Sequence, residues 1–122
     1  MYMSNSNPNV PQELRNLGVR NMNITSLNLS RKNLTNLPSS IGKLKKLTIL
    51  DLEDNRLNSL PSSIGNLKKL TTLYLDNNNL TSLPESIGKL TKLSELKLNR
   101  NHLESVPKEI GNLKNLILLG LA

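Results

Sequence analysis

The chain contains no cysteine, no tryptophan and no phenylalanine, and it has two tyrosines and one histidine. Without cysteine, neither a disulfide framework nor a thiolate metal site can form. Aromatics make up 2% of 122 residues, so a single rounded core would be poor and any core must be built from aliphatic side chains. No apolar run approaches the roughly 20 residues needed to span a bilayer. The opening MYMSNSNPNV lacks the charged start and apolar run of a secretory signal. A reducing cytosol, the protein's own or a host's, is the expected compartment. Asn23, Asn28, Asn33 and Asn79, each opening an N-x-Ser/Thr triplet, therefore read as ordinary asparagines, not glycan sites. His102 has Asn99, Arg100 and Asn101 before it and Ser105 beyond Leu103, so no hydroxyl is placed to pair with its ring. No Gly-rich phosphate loop or metal-ligand spacing occurs, and the chain is expected to be no enzyme, with no cofactor and no metal.

What is present is a repeat. Leu70 to Lys92 reads LTTLYLDNNNLTSLPESIGKLTK, and the stretches beginning at Ile24, Leu47 and Leu93 carry the same pattern. A partial fifth copy begins at Leu116, so first positions recur every 23 residues. Self-similarity at a fixed period of this size is the mark of a solenoid, in which each unit buries its apolar face only against its neighbours.

Within each unit the fourth and sixth residues are leucine (Leu27/Leu29, Leu50/Leu52, Leu73/Leu75, Leu96/Leu98). Period two predicts a short strand with these residues inward and the third, fifth and seventh outward. Stacked units then form a parallel sheet. At the ninth position Asn55, Asn78 and Asn101 can offer an amide to backbone groups left unpaired where the chain turns away. Lys32 holds that place in the first unit, which predicts a looser first turn. Pro38, Pro61, Pro84 and Pro107 fix the return path, and Gly42, Gly65, Gly88 and Gly111 allow a tight turn or close coil packing. The return half has room for short helical or 3-10 turns. Residues 1–9 read as a disordered tail, 10–23 as an N-terminal cap with Pro11 opening a short helix, and 24–122 as four full units and one partial.

From Ile24 to Ala122 these motifs resemble leucine-rich repeat proteins. The Leu-Pro-x-x-Ile-Gly-x-Leu half is similar to the 23-residue subclass of plant intracellular Ras-group repeats and bacterial effectors, with Val106 replacing one leucine. The resemblance implies an α/β fold, a short curved horseshoe with a parallel sheet on its concave face and short turns on its convex side. It also implies that the sheet face binds another protein.

Read across the units, the outward positions form ladders. The third gives Ser26, Ile49, Thr72, Glu95 and Leu118; the fifth gives Asn28, Asp51, Tyr74, Lys97 and Gly120. The seventh gives Ser30, Glu53, Asp76 and Asn99, and the eighth Arg31, Asp54, Asn77 and Arg100. Tyr74 is the one aromatic inside the repeats and falls mid-face, where tyrosine commonly anchors an interface. Glu53 and Asp76 fall side by side, with Asp51 and Asp54 thickening the acidic patch. The candidate partner-binding residues are therefore Ile49, Asp51, Glu53, Asp54, Thr72, Tyr74, Asp76, Asn77, Glu95, Lys97, Asn99 and Arg100. A protein with a basic surface is the expected partner.

The formal net charge of +7 arises in the return half of each unit, which holds nine lysines against Glu85 and Glu109. These lysines have no aromatics among them, so polyanion or nucleic-acid binding stands second to protein binding by an inhibitor, adaptor or effector. At the end of the chain the template places Leu116, Leu119 and Leu121 in the core and leaves Ile117 and Leu118 exposed beside an unpaired strand edge. A partner, or a second copy, is expected to use that edge.

Overall fold

The computed structural model describes residues 9–120. Most of the tail expected at 1–9, and Leu121, lie outside the described residues. Five short strands, β1 (Ser26–Asn28), β2 (Ile49–Asp51), β3 (Thr72–Tyr74), β4 (Glu95–Lys97) and β5 (Ile117–Leu119), form one parallel sheet in sequence order. Each return path carries a 3-10 helix immediately after its proline: η1 (Ser39–Lys43), η2 (Ser62–Asn66), η3 (Glu85–Lys89) and η4 (Lys108–Asn112). Proline suits that place because its fixed φ presets the entry and its missing N–H would have no partner in the first turn. A single α-helix, α1 (Gln12–Asn16), follows Pro11 and packs on η1, burying Leu14 completely.

The core is a stack of aliphatic layers. Leu47, Leu50, Leu52, Leu57, Ile64 and Leu67 of the second coil are fully buried, as are their equivalents in the third. Of their counterparts in the outer coils, Ile24, Leu27, Leu34, Leu103, Ile110 and Leu116 are half-buried, while Leu29, Ile41, Leu44, Leu93, Leu96 and Leu98 stay buried. At some repeat positions, such as that of Leu34, Leu57, Leu80 and Leu103, the leucine is fully buried in the inner coils and only half-buried in the outer ones. Each fully buried leucine is worth about 1.5–3 kcal/mol relative to exposure, so stability comes from stacking and not from any coil alone.

The asparagine ladder joins one coil to the next. Asn78 donates from Nδ2 to the carbonyls of Leu52 (2.9 Å), Leu75 (3.1 Å) and Asp76 (3.4 Å), and its Oδ1 accepts the Leu57 N–H (3.0 Å). Asn55 and Asn101 repeat the arrangement, and Asn55 reaches back to accept the N–H groups of Lys32 and Leu34. In the first coil, where lysine replaces asparagine, both Arg31 and Asn33 adopt positive φ, whereas later coils have one such residue each. The first turn thus differs from the others by one extra left-handed residue, while Asn55 ties it to the second coil. A second ladder, at the second repeat position, was not foreseen: the hydroxyls of Thr48, Thr71 and Ser94 each donate to the carbonyl of the preceding coil's equivalent residue (3.0–3.1 Å). Its signal is visible in the sequence as Thr25, Thr48, Thr71 and Ser94 at a spacing of 23.

The last strand departs from the template. Pairing between β1 and β4 keeps the 23-residue offset, but Glu95 pairs with Ile117, Leu96 with Leu118 and Lys97 with Leu119. Leu118 therefore falls in the register column of Leu50, Leu73 and Leu96 and not in the outward third position, and Leu119 falls opposite Lys97 instead of in the core column. Ile117 is exposed, at 63%, as the template requires, and Leu116, which the template places in the core, packs against it but is only half-buried. Two causes combine. Leu116 to Leu119 are all apolar, so alternation does not select one phase of the strand. Ile117 also replaces the hydroxyl that ties earlier coils together at that position.

Close coil packing, not φ, explains the repeated glycine. A Cβ on Gly65 would lie 2.7 Å from the Ser86 carbonyl oxygen and 2.8 Å from Ser86 Cβ, whereas one on Gly111 would meet nothing within 4 Å. Gly65→Ala is predicted to destabilise the fold by about 1–3 kcal/mol through overpacking, with Gly111→Ala within about 0.5 kcal/mol of the parent. Urea denaturation of the two variants checks this; equal losses would place the requirement in the turn itself.

Candidate functional site

The twelve candidate residues occupy one continuous face. Ile49, Thr72 and Glu95 form one row across β2, β3 and β4, and Asp51, Tyr74 and Lys97 form the next. Ile49 is 39% exposed, while Thr72, Tyr74, Glu95 and Lys97 are half-buried among one another. Lys97 Nζ stands 4.6 Å from the centre of the Tyr74 ring and 3.9 Å from a Glu95 carboxylate oxygen. Tyr74 is thus held by a cross-strand cation–π contact, which fixes its ring. Burial, and then the Glu95 carboxylate, pushes its phenol above the ordinary value.

Beyond the strands the remaining six, Glu53, Asp54, Asp76, Asn77, Asn99 and Arg100, line an open depression of about 530 Å³. The backbone pairing that continues there sets its floor: Asp54 N–H donates to Asp76 and Asn77 N–H to Asn99. Arg31, Asp54, Asn77 and Arg100 all take φ of 57–59° at the eighth position. Aspartate and asparagine tolerate this left-handed conformation, but arginine bears a steric cost there. That conformation turns the eighth side chains into a lateral row. Asn77 Nδ2 donates to Asp54 Oδ1 (2.8 Å), and Arg31 Nε approaches Asp54 Oδ2 at 3.2 Å.

The acids are consequently not equivalent. Hydrogen bonds from Asn77 and Arg31 hold the Asp54 carboxyl below its ordinary range. Asp51 accepts the Glu53 N–H (3.0 Å), and Asp76 accepts the Asn99 N–H (2.8 Å). Glu53 makes no side-chain hydrogen bond or ion pair among the described residues. Burial, followed by the charges of Asp51 and Asp76, pushes its carboxyl upward, with Lys97 opposing. The sequence brought these acids together correctly but could not tell which were engaged, because that depends on the eighth-position backbone. A larger groove, of about 610 Å³, crosses the 3-10 side between Pro84 and Asn112. It mixes Glu85, Lys89 and Glu109 with serine and glycine, and no side chains of one kind converge on it. His102 is exposed, away from both depressions, its backbone N–H donating to Leu80.

A family profile described as a leucine-rich repeat region matches residues 2–122, and the chain belongs to the leucine-rich repeat family. Among solved structures, a leucine-rich repeat protein of Leptospira interrogans is 50% identical with a TM-score of 0.75, the match covering 77% of this chain and 24% of that one. The Arabidopsis receptor kinase HAESA, solved in complex with a peptide hormone and a co-receptor, is 38% identical with a TM-score of 0.71, over 80% of this chain and 17% of that one. The chain therefore spans a quarter or less of either relative. No curated protein matches it. No helix among the described residues is long and apolar enough to cross a membrane.

Glu53→Gln tests the electrostatics of this face. A carboxyl whose folded-state pKa is raised binds its proton more readily in the folded protein, so its charge weakens the fold above the carboxylate range and ceases to do so as pH falls through it. Glu53→Gln should therefore be more stable than the parent near neutral pH, by less than about 0.5 kcal/mol, because solvent screens a carboxyl that is only half-buried. The gain should vanish in acid. Denaturation at both pH values reads it, and a variant less stable at neutral pH would show that Glu53 is paired.

Proposed function

We propose that the chain is a protein-binding module that docks its sheet face on a partner with a basic surface. The observation that carries this reading is Tyr74: a ring held at mid-face by Lys97, next to a depression in which Glu53 has no cationic side chain bonded to it. Aromatics anchor interfaces because they bury much area at low entropic cost, and an acidic rim speeds encounter with a basic partner. A sheet of five strands with its flanking loops can supply roughly the 800 Å² per side of a standard interface. Repeats similar to these occur in HAESA, whose structure holds a peptide hormone and a co-receptor.

Binding itself is then the activity. An inhibitor, adaptor or effector that masks or recruits a partner in a cytosol, and catalyses nothing, is the form of it that the sequence and this face support. The cap at 10–23 and the repeats from 24 onward act as one unit in this reading, with the cap closing the stack.

Tyr74→Ala is the test. With a partner retained from lysate on the immobilised chain and then purified, calorimetry should show a loss of about 2 kcal/mol or more, close to thirtyfold in affinity. The variant should remain folded, losing about 0.5–1 kcal/mol of stability with the cation–π pair. Unchanged affinity would remove Tyr74, and with it this face, from the binding site.

A further inference from the structure

We propose a second binding surface, on the rim where each return path leads into the next strand, that takes a flexible linear polyanion carrying tetrahedral oxyanions in single file. Lys46, Lys69 and Lys92 occupy the last position of successive repeats, and Lys45, Lys68 and Lys114 the position before it. All six are exposed. Each adjacent pair is trapped between two buried leucines, as Lys45 and Lys46 are between Leu44 and Leu47, both at 0% exposure. The backbone there is tight, with Lys45 N–H bonded to Lys43 (3.0 Å) and Lys68 N–H to Asn66 (2.9 Å). The lysine stems therefore have fixed roots pointing away from the core.

Coils repeat at about the 4.8 Å strand spacing, so like charges stand in rows at that interval. Each neighbouring pair repels by up to about 1 kcal/mol in water. No lysine of this rim takes part in an ion pair among the described residues, where the two ion pairs lie elsewhere, Glu95–Lys97 on β4 and Arg31–Asp54 beyond the C-terminal ends of the strands. The rim is a strip of unneutralised positive charge about three coil intervals long.

Its shape selects the partner. The strip is narrow, and the one aromatic of the described residues, Tyr74, lies on the sheet face, so bases have nothing to stack on. The exposed large hydrophobics, Ile49 and Ile117, lie on the strands, so nothing on the rim would enter a bilayer. Lysines are point charges that suit a mobile oxyanion chain and do not demand bidentate geometry. A flexible chain can follow the rows, whereas a rigid duplex meets them only tangentially.

The test compares two triple variants of equal charge: Lys46→Gln/Lys69→Gln/Lys92→Gln on the rim, and Arg20→Gln/Lys32→Gln/Arg56→Gln, all exposed, elsewhere. Inorganic polyphosphate, a sulfated polysaccharide and duplex DNA are titrated against each across a salt series. The parent should bind polyphosphate or the sulfated chain more tightly than duplex DNA, and whichever of the two is tighter identifies the source. The rim triple should lose about tenfold or more in affinity, and its slope of log affinity against log salt should flatten by about 2, while the other triple changes less than about threefold. Equal losses in both triples, duplex DNA binding as tightly as the flexible chains, or no binding of either flexible chain at low salt would each overturn the proposal.

Discussion

The fold depends on satisfying backbone groups at the place where each coil leaves the sheet. A strand of three residues followed by a turn strands carbonyls and N–H groups that neighbouring coils exclude from water. Asn78 meets that need with one amide, taking the carbonyls of Leu52 and Leu75 and supplying an acceptor to Leu57. Because its partners lie on two coils, it sets the spacing of the stack as well as the turn. Aspartate would offer no donor to the carbonyls, and a longer amide would displace the coil. The leucine layers then have a fixed separation to fill, and the absence of Cβ at Gly42, Gly65 and Gly88 lets the 3-10 sides close to match.

The two edges of the sheet carry different chemistry because the two halves of the repeat do different work. Beyond the C-terminal end of each strand the left-handed eighth residue turns side chains into a lateral row, where Asp54 is bonded on both sides and Glu53 is not. Before the strand, the residues between two buried leucines can only point outward, and lysine fills them. Tyr74 lies between, on the strand itself. A polar gradient across one face therefore follows from the repeat, and a partner that docks on the face must match acid at one margin and avoid lysine at the other.

The period of 23, the leucines at the fourth and sixth positions and the ninth-position asparagines were legible because each has a periodic physical cause that every coil repeats. The 3-10 turns after each proline and the helix after Pro11 were legible for a local reason, the proline itself. What escaped was lateral or terminal. The hydroxyl ladder of Thr48, Thr71 and Ser94 lies at a position whose role shows only when coils are stacked. The positive φ of Arg31 and Arg100 is masked by residues that do not favour it. The shifted pairing of Leu118 with Leu96 arises where alternation fails, so a template carried one coil too far gave the last strand a register one residue off.

If the asparagine ladder sets the stack, Asn78→Ala is the direct measurement, with Asn79→Ala as its exposed neighbour. Removing the Asn78 amide leaves the buried Leu57 N–H without a partner, worth about 1–3 kcal/mol, and reduces the Leu52 and Leu75 carbonyls to one donor each, from Asn55 and Asn101. Urea denaturation should show Asn78→Ala less stable by about 1–3 kcal/mol, Asn79→Ala within about 0.5 kcal/mol of the parent, and hydrogen exchange at the Leu57 amide should accelerate in the first variant alone. Two variants of equal stability, with Leu57 exchange unchanged, would contradict the account.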